Sequence, residues 1–369
     1  MTIAVLREPS VESRVSLLPE HILQLKKMNV QVCVEKGAGG GSFVSDDSYV
    51  KAGAEISERA ELIRNSDIIL SINSPEDSIP SGKILLGLFQ PLYHPQVIRS
   101  WAENGITVFS IDMLPRTTRA QSMDVLSSQA NVAGYKAVLI AATHYPKYFP
   151  MFMTAAGTVP PARMLILGAG VAGLQAIATA KRLGAVVEVF DTRPAVKEEV
   201  QSLGAKFVEV EGAADASTAG GYAVEQTEAY KQKQQQRIAE VAAKADVIIT
   251  TAQIPGKKAP VLITTAMLDA MKPGSVIVDI ASATGGNTEK TKDSDTVQYN
   301  GITIIGNSAL PATMPADASK LYGKNILNFL QLIITKEGSL NLNFDDDLVK
   351  GTCIAHAGSI TNERISSLL

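Results

Sequence analysis

The sequence is poor in several residue types that mark particular classes of protein. Its 2 cysteines, Cys33 and Cys353, lie far apart, so neither a disulfide framework nor a metal site is expected, and a reducing compartment is the simple interpretation. A formal net charge of −3 offers no basic field for a nucleic acid. No apolar run reaches ~18 residues, and the N-terminal residues do not form a secretion signal. We therefore expect any membrane role to require another chain.

Proton donors for carbonyl chemistry are also scarce. A dehydrogenase that reduces a carbonyl supplies a proton to its oxygen, usually from His, Lys or Tyr. Of the 4 histidines, His21 lies on a predicted surface helix, and His144 and His356 lie in irregular segments. His94 follows a strand-like run and is the best placed of the four, although a surface or structural role is favoured for it.

The sequence does contain enough apolar material for two domains. Its 369 residues are 46% hydrophobic and 19% charged, which argues against a disordered chain. The first ~125 residues alternate strand-like runs, such as VQVCVEK and DIILSI, with helical patterns, such as HPQVIRSWAEN. A second alternating region runs from Met164 to about Ala316. This alternation predicts an α/β fold with parallel sheets and helices on their faces.

Between the two alternating regions, the pattern predicts a long helix from Asn131 to about His144 and then a break. Prolines and glycines interrupt the segment YFPMFMTAAGTVPPAR, and Pro160–Pro161, just before a strand, indicates the start of a second domain. A glycine-rich stretch in the first region, EKGAGGGS, is interpreted as a loop turn, because FVSDDSYV after it does not open a clean helix.

The strongest motif is MLILGAGVAGLQAIATAKRLGAVVEVFDTRP. A strand predicted over Met164–Leu167 leads into Gly168, Gly170 and Gly173, a helix follows, and a second strand ends at Asp191. In a dinucleotide fingerprint the first glycine makes the tight turn, the second admits the pyrophosphate, and the third lets helix and strand pack closely. The helix N-terminus offers N–H groups to the phosphates. The motif therefore predicts a nicotinamide or flavin dinucleotide.

The acid at the end of this motif favours NAD over NADP. Asp191 would hold the ribose hydroxyls and repel a 2′-phosphate. Arg193 complicates that prediction, since it could pair with a carboxylate or with the pyrophosphate. The chain has one complete fingerprint, so a second dinucleotide would need a partner protein.

A polar loop without an obvious proton donor, RTTRAQSMDVLSSQAN, precedes the long helix. Hydride transfer between two nicotinamide rings moves no proton to oxygen and needs the rings held within roughly 3–3.5 Å. Amide and hydroxyl groups and an arginine suit that task, and Arg116, Gln121, Asp124 and Ser127 supply them. The alternative is a capped loop entering the helix, with Asp124 or Ser122 as the cap; composition alone does not decide between the two.

The runs MLPRTTRAQSMDVLSSQANVAGYKAV, FPMFMTAAGTVPPARMLILGAGVAGLQ, TAGGYAVE, TTAQIPGKKAPVLIT, MKPGSVIVDIA and ADASKLYGKNILNFL together resemble one family closely. It is the NAD(H)-binding component, domain I, of proton-translocating NAD(P) transhydrogenase, within the alanine dehydrogenase superfamily. The resemblance covers nearly the whole chain, and its RAQSMD and AGGY stretches are specific to that component.

The resemblance implies two Rossmann-like doubly wound domains with parallel sheets, separated by a cleft. Residues 1–130 plus 321–369 would form the alanine dehydrogenase-like domain, and residues 131–320 the NAD(H)-binding domain, with a mobile loop at about 211–226. It also implies a homodimer that docks on membrane-embedded transhydrogenase subunits carrying an NADP(H)-binding domain, at the cytoplasmic face of the inner membrane. Hydride would pass directly from one nicotinamide to the other, coupled to proton movement through the membrane partner.

Residue roles carried over from the family concentrate in the polar loop, the fingerprint and the mobile loop. Gln121 would lie between the two rings, Arg116 would contact the nicotinamide side of NAD, and Asp124 and Ser127 would fix the carboxamide and the loop. The residues matched to cofactor contacts are Arg116, Thr117, Thr118, Gln121, Ser122, Met123, Asp124, Gly168, Gly170, Val171, Ala172, Gly173, Asp191, Thr192, Arg193, Gly221, Tyr222, Gln234 and Gln253.

Two other functions remain open at the level of sequence. Alanine dehydrogenase shares REPSVESRVSLLPE with this chain, including Arg14, which in that enzyme would grip a substrate carboxylate. Asn73, Leu92 and Ala283 stand where its Lys, His and Asp would be, so an amino-acid or opine-type dehydrogenase would need a displaced group such as His94. A non-enzymatic NAD sensor is the second alternative.

Overall fold

A computed structural model of the chain describes residues 1–210, 212 and 227–369, which divide into two compact units. The first unit contains Met1–Gln129 and Pro311–Leu369, and the second contains Ala130–Leu310. The chain thus returns to the first unit ten residues before the boundary expected at 320/321. The reason is local: Gln129 donates a hydrogen bond to the Ala318 carbonyl at 3.1 Å and the Val15 N–H donates to Ser319 Oγ at 3.0 Å. The functional assignment of the two domains stays a prediction.

The strands are short and separated by helices through most of the described chain. They are β1 Thr2–Val5, β2 Gln31–Glu35, β3 Glu55–Ser57, β4 Ile68–Ser71, β5 Ile84–Gly87, β6 Thr107–Ser110, β7 Phe152–Thr154, β8 Gly157–Val159, β9 Arg163–Leu167, β10 Val186–Phe190, β11 Lys206–Phe207, β12 Val247–Thr250, β13 Val276–Asp279, β14 Asp295–Tyr299, β15 Ile302–Gly306, β16 Cys353–His356 and β17 Ser359–Ile360.

The helices vary from one turn to more than five turns. They are α1 Pro19–Lys26, α2 Asp46–Lys51, α3 Arg59–Asn65, α4 Pro95–Glu103, α5 Val125–His144, α6 Val171–Arg182, α7 Lys197–Ser202, α8 Glu228–Ala242, α9 Thr265–Asp269, α10 Pro315–Ile333, α11 Asp347–Thr352 and α12 Glu363–Ser366.

The first unit is built on a sheet in the order β17-β16-β6-β5-β4-β1-β2-β3. Its strands β1 to β6 pair in parallel, while β16 pairs antiparallel with β6 and β17 antiparallel with β16. The chain winds outward from β1 on one side through β2 and β3, and on the other through β4 to β6. This is the doubly wound arrangement, extended at one edge by strands from the C-terminal region of the chain.

The second unit has a sheet in the order β11-β10-β9-β12-β13-β15-β14. Within this sheet only β14 runs antiparallel, and it is joined to β15 through Asn300 and Gly301, which have φ values of 47° and 79°. An Asn-Gly pair with positive φ at both positions is the preferred two-residue hairpin turn. The expected Rossmann-like topology is therefore confirmed, and the expectation of parallel sheets is corrected at the sheet edges.

Each sheet is covered on both faces, and alternate residues of its central strands point into different cores. In β1, Ile3 and Val5 lie in one hydrophobic cluster, while Ala4 lies in the cluster on the opposite face. In β9, Met164 and Ile166 face one core and Leu165 and Leu167 the other. Parallel strands buried on both faces have this apolar composition, which is why the strand-like runs were visible in the sequence.

Three local expectations are corrected. Helix α5 begins at Val125, six residues before the expected start at Asn131. A short helix, α2, does follow EKGAGGGS, and the Ser45 side chain caps it by accepting from the Ser48 N–H. His21 is not on a surface: it is 2% exposed, its Nδ1 accepts the Leu18 N–H at 3.0 Å, and burial lowers its pKa.

Candidate functional site

The turn after β9 has the conformation that the fingerprint predicts. Gly168 has φ of +103°, a value that L side chains rarely adopt. A Cβ at this position would lie 2.4 Å from Thr251 Oγ1, and that hydroxyl lies 3.2 Å from the carbonyl oxygens of Leu167 and Gly168. Gly168 is therefore required both by the turn and by the close approach of Thr251.

The other two glycines of the motif differ in what surrounds them. A Cβ at Gly173 would lie 1.9 Å from the Gly168 carbonyl oxygen, so the first turn of α6 can approach the loop only because Gly173 has no side chain. A Cβ at Gly170 would meet no heavy atom within 4 Å. Protein packing therefore explains Gly168 and Gly173, whereas the space at Gly170 is open.

Gly170 is also the N-cap of α6, and no side chain caps this helix. The first N–H groups of a helix lack intrahelical acceptors, and the helix dipole favours negative charge at that end. An uncapped helix start beside open space can accept a pyrophosphate. Val171 is 39% exposed at this point, whereas Ala172 is buried.

Asp191 follows β10, is 8% exposed, and uses both carboxylate oxygens. Its Oδ1 accepts from the Arg193 N–H at 2.8 Å and from Arg193 Nε at 2.9 Å. Its Oδ2 accepts from the Ala169 N–H at 2.7 Å and from Arg193 Nη2 at 2.7 Å. A carboxylate offers about four acceptor positions, so a ribose hydroxyl must displace the Arg193 guanidinium to reach Asp191. Of the two pairings foreseen for Arg193, the structure contains the one with a carboxylate.

The loop after β12 lies beside the glycine turn and is held by residues that sequence reasoning missed. The Asn287 side chain is fully buried; it accepts from the Ala252 N–H at 3.0 Å and donates to the carbonyls of Ala252 and Pro260 at 2.9 and 2.8 Å. Asp279, at the end of β13, accepts from the Asn287 N–H at 2.6 Å. The signal available in the sequence was GGN shortly after a buried strand.

The remaining nucleotide-contact predictions in the second unit have different placements. Gln253 Nε2 lies 3.5 Å from the Ile280 carbonyl, and Thr192 is half-buried directly after Asp191. Gln234 is 8% exposed on α8, and no hydrogen bond links its side chain to another described residue. Gly221 and Tyr222, with most of the expected mobile loop at 211–226, lie outside the described residues.

The polar loop belongs to the first unit, where a 3₁₀ turn over Thr118–Met123 leads into α5. Asp124 caps α5: its Oδ1 accepts the Ser127 N–H at 2.9 Å, and its Oδ2 accepts the Ser127 hydroxyl at 2.6 Å. The capping interpretation of Asp124 is thus correct, and a cap of this kind typically contributes ~1 kcal/mol. Ser122 is not the cap.

Contacts on both sides of Gln121 hold the loop. The Ser122 carbonyl accepts from Asn325 Nδ2 at 2.9 Å and from Asn328 Nδ2 at 2.8 Å, both on α10. Arg119 donates to both Asp346 oxygens at 2.7 and 2.6 Å and to Asp347. The Arg119 guanidinium lowers the pKa of the Asp346 carboxyl below its usual value.

The side chains of the loop alternate between core and solvent. Ala120 and Met123 are 3% and 6% exposed and lie in the core of the first unit. The exposed residues are Arg116, Thr117, Thr118, Gln121 and Ser122. The structure thus presents most of the predicted contact side chains to solvent but places that of Met123 inside.

The positions that matter for alanine dehydrogenase carry no proton-transfer group in the first unit. Asn73 Nδ2 donates to Glu8 Oε2 at 3.0 Å, and Leu92 packs on the core. His94 is an exposed residue at the start of α4 and makes no capping hydrogen bond. In the second unit, Ala283 is an exposed alanine in a 3₁₀ turn.

Arg14 is bound by the protein itself. It is 9% exposed, and its Nε and Nη2 donate to the two oxygens of Glu12 at 2.8 and 2.6 Å. Its Nη1 donates to Gln129 Oε1 at 2.8 Å. Burial works against the charge of Arg14, but the bonds and charge of Glu12 raise its pKa above the usual value. A carboxylate from the chain therefore occupies the fork that a substrate carboxylate would need.

Two family models match the chain: the N-terminal domain of Alanine dehydrogenase/PNT over residues 4–133 and the C-terminal domain over residues 137–363. The chain belongs to the alanine dehydrogenase/PNT family. It is similar to the first portion of NAD(P) transhydrogenase subunit alpha of Rhodospirillum rubrum, a separate chain, with 43% identity over 368 residues and 96% of each chain covered. It is similar to the corresponding protein of Rickettsia prowazekii (strain Madrid E), with 44% identity over 98% of this chain and 96% of the relative.

A solved structure extends this likeness to the fold. The crystal structure of transhydrogenase from Sinorhizobium meliloti matches with a TM-score of 0.89 and 44% sequence identity, covering 98% of this chain and 100% of that chain. The family recognised from the sequence is confirmed. Within the described residues, no helix has the length and apolar character to span a bilayer, and no three His, Cys, Asp or Glu side chains are grouped as metal ligands.

Proposed function

We propose that this chain is the NAD(H)-binding component of a proton-translocating NAD(P) transhydrogenase. Its second unit binds NAD(H), and hydride passes directly between that nicotinamide and the nicotinamide of NADP(H) on a partner domain. The observation that carries the proposal is a complete dinucleotide turn in one unit of a chain whose other unit has no proton-transfer group at the dehydrogenase positions. The relatives named as transhydrogenase alpha subunits support the same conclusion.

The residues of the second unit fit a dinucleotide. The N–H groups at the start of α6 bind the pyrophosphate over Gly170, where a Cβ would meet nothing. Asp191 holds the adenosine ribose after Arg193 moves aside, and Arg193 can then pair with the pyrophosphate. The bound nicotinamide supplies or accepts the hydride, and the protein positions it.

The polar loop orients the nicotinamide side of NAD(H) and faces the partner's nucleotide. Gln121 is exposed, and its side chain makes no hydrogen bond to another described residue, so its amide is available to lie between the rings. Arg116 contacts the nicotinamide side. Asp124 and Ser127 act by fixing the loop, because the Asp124 carboxylate is already engaged with Ser127. No proton donor is needed, since transfer from ring to ring protonates no oxygen.

The partners follow from the same proposal. The NADP(H)-binding domain and the proton path lie on membrane-embedded subunits, which hold this chain at the cytoplasmic face of the inner membrane. The chain forms a homodimer, and the β7–β8 hairpin is the surface that supports this: Met151, Phe152 and Met153 are 57%, 43% and 75% exposed, and the hairpin pairs with neither large sheet.

The test is hydride transfer from NADH to an NADP⁺ analogue, with this chain added to membranes that carry the other transhydrogenase subunits but lack this one. We expect transfer only after mixing, and none from either component alone. NADH binding without transfer would contradict the proposal and leave an NAD sensor. Steady NADH oxidation with pyruvate and ammonia by the chain alone would instead establish an amino-acid dehydrogenase, with His94 as the first residue to examine.

A further inference from the structure

The Ser122 carbonyl receives two side-chain amide donors from one helix. Asn325 Nδ2 and Asn328 Nδ2, three residues apart on α10, donate to it at 2.9 and 2.8 Å. A backbone carbonyl has two lone pairs and can accept two such bonds. We propose that Asn325 and Asn328 are positioning residues that set Gln121 for hydride transfer; this inference rests on the proposed function of the loop.

The orientation of the Asn325 amide is determined by a third partner. The Ser128 hydroxyl donates to Asn325 Oδ1 at 2.7 Å, which leaves the amide nitrogen directed at Ser122. Asn325 is 7% exposed and Asn328 is half-buried. A polar pair on the apolar, buried stretch of α10 needs a partner for its amides, and the loop carbonyl provides one.

The loop needs support from outside because its own structure is weak. The 3₁₀ turn over Thr118–Met123 has poorer hydrogen-bond geometry than an α-helix. Arg119 is held by Asp346 and Asp347 on one side of Gln121, and Ser122 by the two asparagines on the other. Gln121 thus projects from a short segment fixed at both ends, which presents its amide in one place rather than many.

Rigid support of this kind affects rate more than binding. Two rings must meet at a defined separation for hydride transfer, and a displacement of ~1 Å can cost about 100-fold in rate. The dinucleotide turn in the second unit has its own supports and does not involve the asparagines. Loss of the clamp should therefore reduce turnover while leaving most NADH affinity in place.

The decisive variant is Asn328→Asp, which keeps the size of the side chain but turns the donor into a second acceptor facing the Ser122 carbonyl. Asn328 is preferred to Asn325 because a charge at the more buried position could disrupt folding. The matched control is Gln331→Glu, the same chemical change on the same helix at an exposed residue whose side chain makes no hydrogen bond to another described residue. Asn328→Gln, which restores an N–H donor, is the rescue.

In the mixed system, Asn328→Asp should lower kcat at least about 10-fold while the KM for NADH changes less than about 3-fold, the pattern of an interaction that matters in the transition state. Gln331→Glu should match the wild type, and Asn328→Gln should recover some of the loss. In the chain alone, amide hydrogen exchange over residues 117–124 should quicken in Asn328→Asp and not in Gln331→Glu.

The failures are distinguishable. A wild-type chain that transfers no hydride with its partner would overturn the proposed function, and this inference with it. Wild-type transfer together with an unchanged kcat in Asn328→Asp would overturn this inference alone. So would faster exchange throughout the first unit, or equal losses in kcat and NADH binding, because either would show a merely structural role.

Discussion

Three glycines close together in the sequence have three different physical causes. Gly168 is required by its positive φ, and Gly173 by the 1.9 Å approach that a Cβ would make to the Gly168 carbonyl. Gly170 has an ordinary extended conformation, with φ of −76° and ψ of −170°, and open space around it. Only Gly170 is left without a cause inside the protein, and a ligand approaching the backbone supplies one.

Gly170→Ala therefore separates binding from folding. We expect its free energy of unfolding to fall by no more than about 1 kcal/mol, since alanine is only a poorer N-cap than glycine. We expect NADH affinity to fall at least about 10-fold, because the new methyl group fills the pyrophosphate position. Chemical denaturation and NADH titration measure the two effects.

Gly173→Ala is the comparison for that experiment, and it should lose stability first because its Cβ meets backbone. Unchanged NADH affinity in a folded Gly170→Ala chain would mean that the pyrophosphate does not bind over this residue.

At the same scale, Glu12 explains why Arg14 is not a substrate residue here. The motif that contains Arg14 is shared with alanine dehydrogenase, and the motif alone favours a carboxylate-binding role. The structure shows the guanidinium already forked on Glu12, only two residues away along the chain. Buried arginine needs a counter-charge, and a local glutamate provides it without a ligand.

Among the elements, α5 shows how capping decides a boundary. The apolar pattern starts at Asn131, but the helix starts at Val125 because Asp124 binds the Ser127 N–H and hydroxyl. The polar residues between those positions were assigned to a ligand loop because of their composition. They are instead divided between the 3₁₀ turn and the first turns of α5.

The β7–β8 hairpin is the element whose exposure suggests a partner. A two-stranded hairpin is marginal by itself in water, and this one carries exposed Phe152 and Met153 beside exposed Tyr148. Met153→Lys should shift the homodimer toward monomer, because a charged side chain replaces an apolar contact that the dimer would bury. Sedimentation velocity over a range of concentrations measures the shift.

Val11→Lys is the control for the hairpin, because Val11 is 85% exposed and lies outside it. Its sedimentation should match the wild type. If Met153→Lys sediments as the wild-type species does, the hairpin is not the dimer contact.

For the whole molecule, nucleotide preference should appear as ligand-dependent stability. A ligand that binds only the native state at ~100 times its dissociation constant adds about 2.7 kcal/mol. NADH should raise the unfolding temperature, while NADPH at the same concentration should raise it less, because Asp191 repels the 2′-phosphate. Scanning calorimetry with the two nucleotides measures this, and an equal rise would contradict the role of Asp191.

Much of the fold follows from local sequence. Apolar runs between helical patterns predicted the strands, because strands buried on both faces contain few polar residues. The fingerprint predicted the turn after β9, because its positive φ and close packing each demand glycine. The antiparallel edges were not predicted, since β16 pairs with β6 across more than two hundred residues and no local pattern records that partner.

The site divides in the same way. By itself, the sequence determined the dinucleotide turn and the residue types of the polar loop, because both depend on neighbours within a few tens of residues. Only the tertiary structure decided that Arg193 covers Asp191, that Glu12 occupies Arg14, and that Asn325 and Asn328 hold Ser122. A hydrogen bond depends on position within a few tenths of an ångström, and distant regions of a chain acquire such positions only when the core has packed.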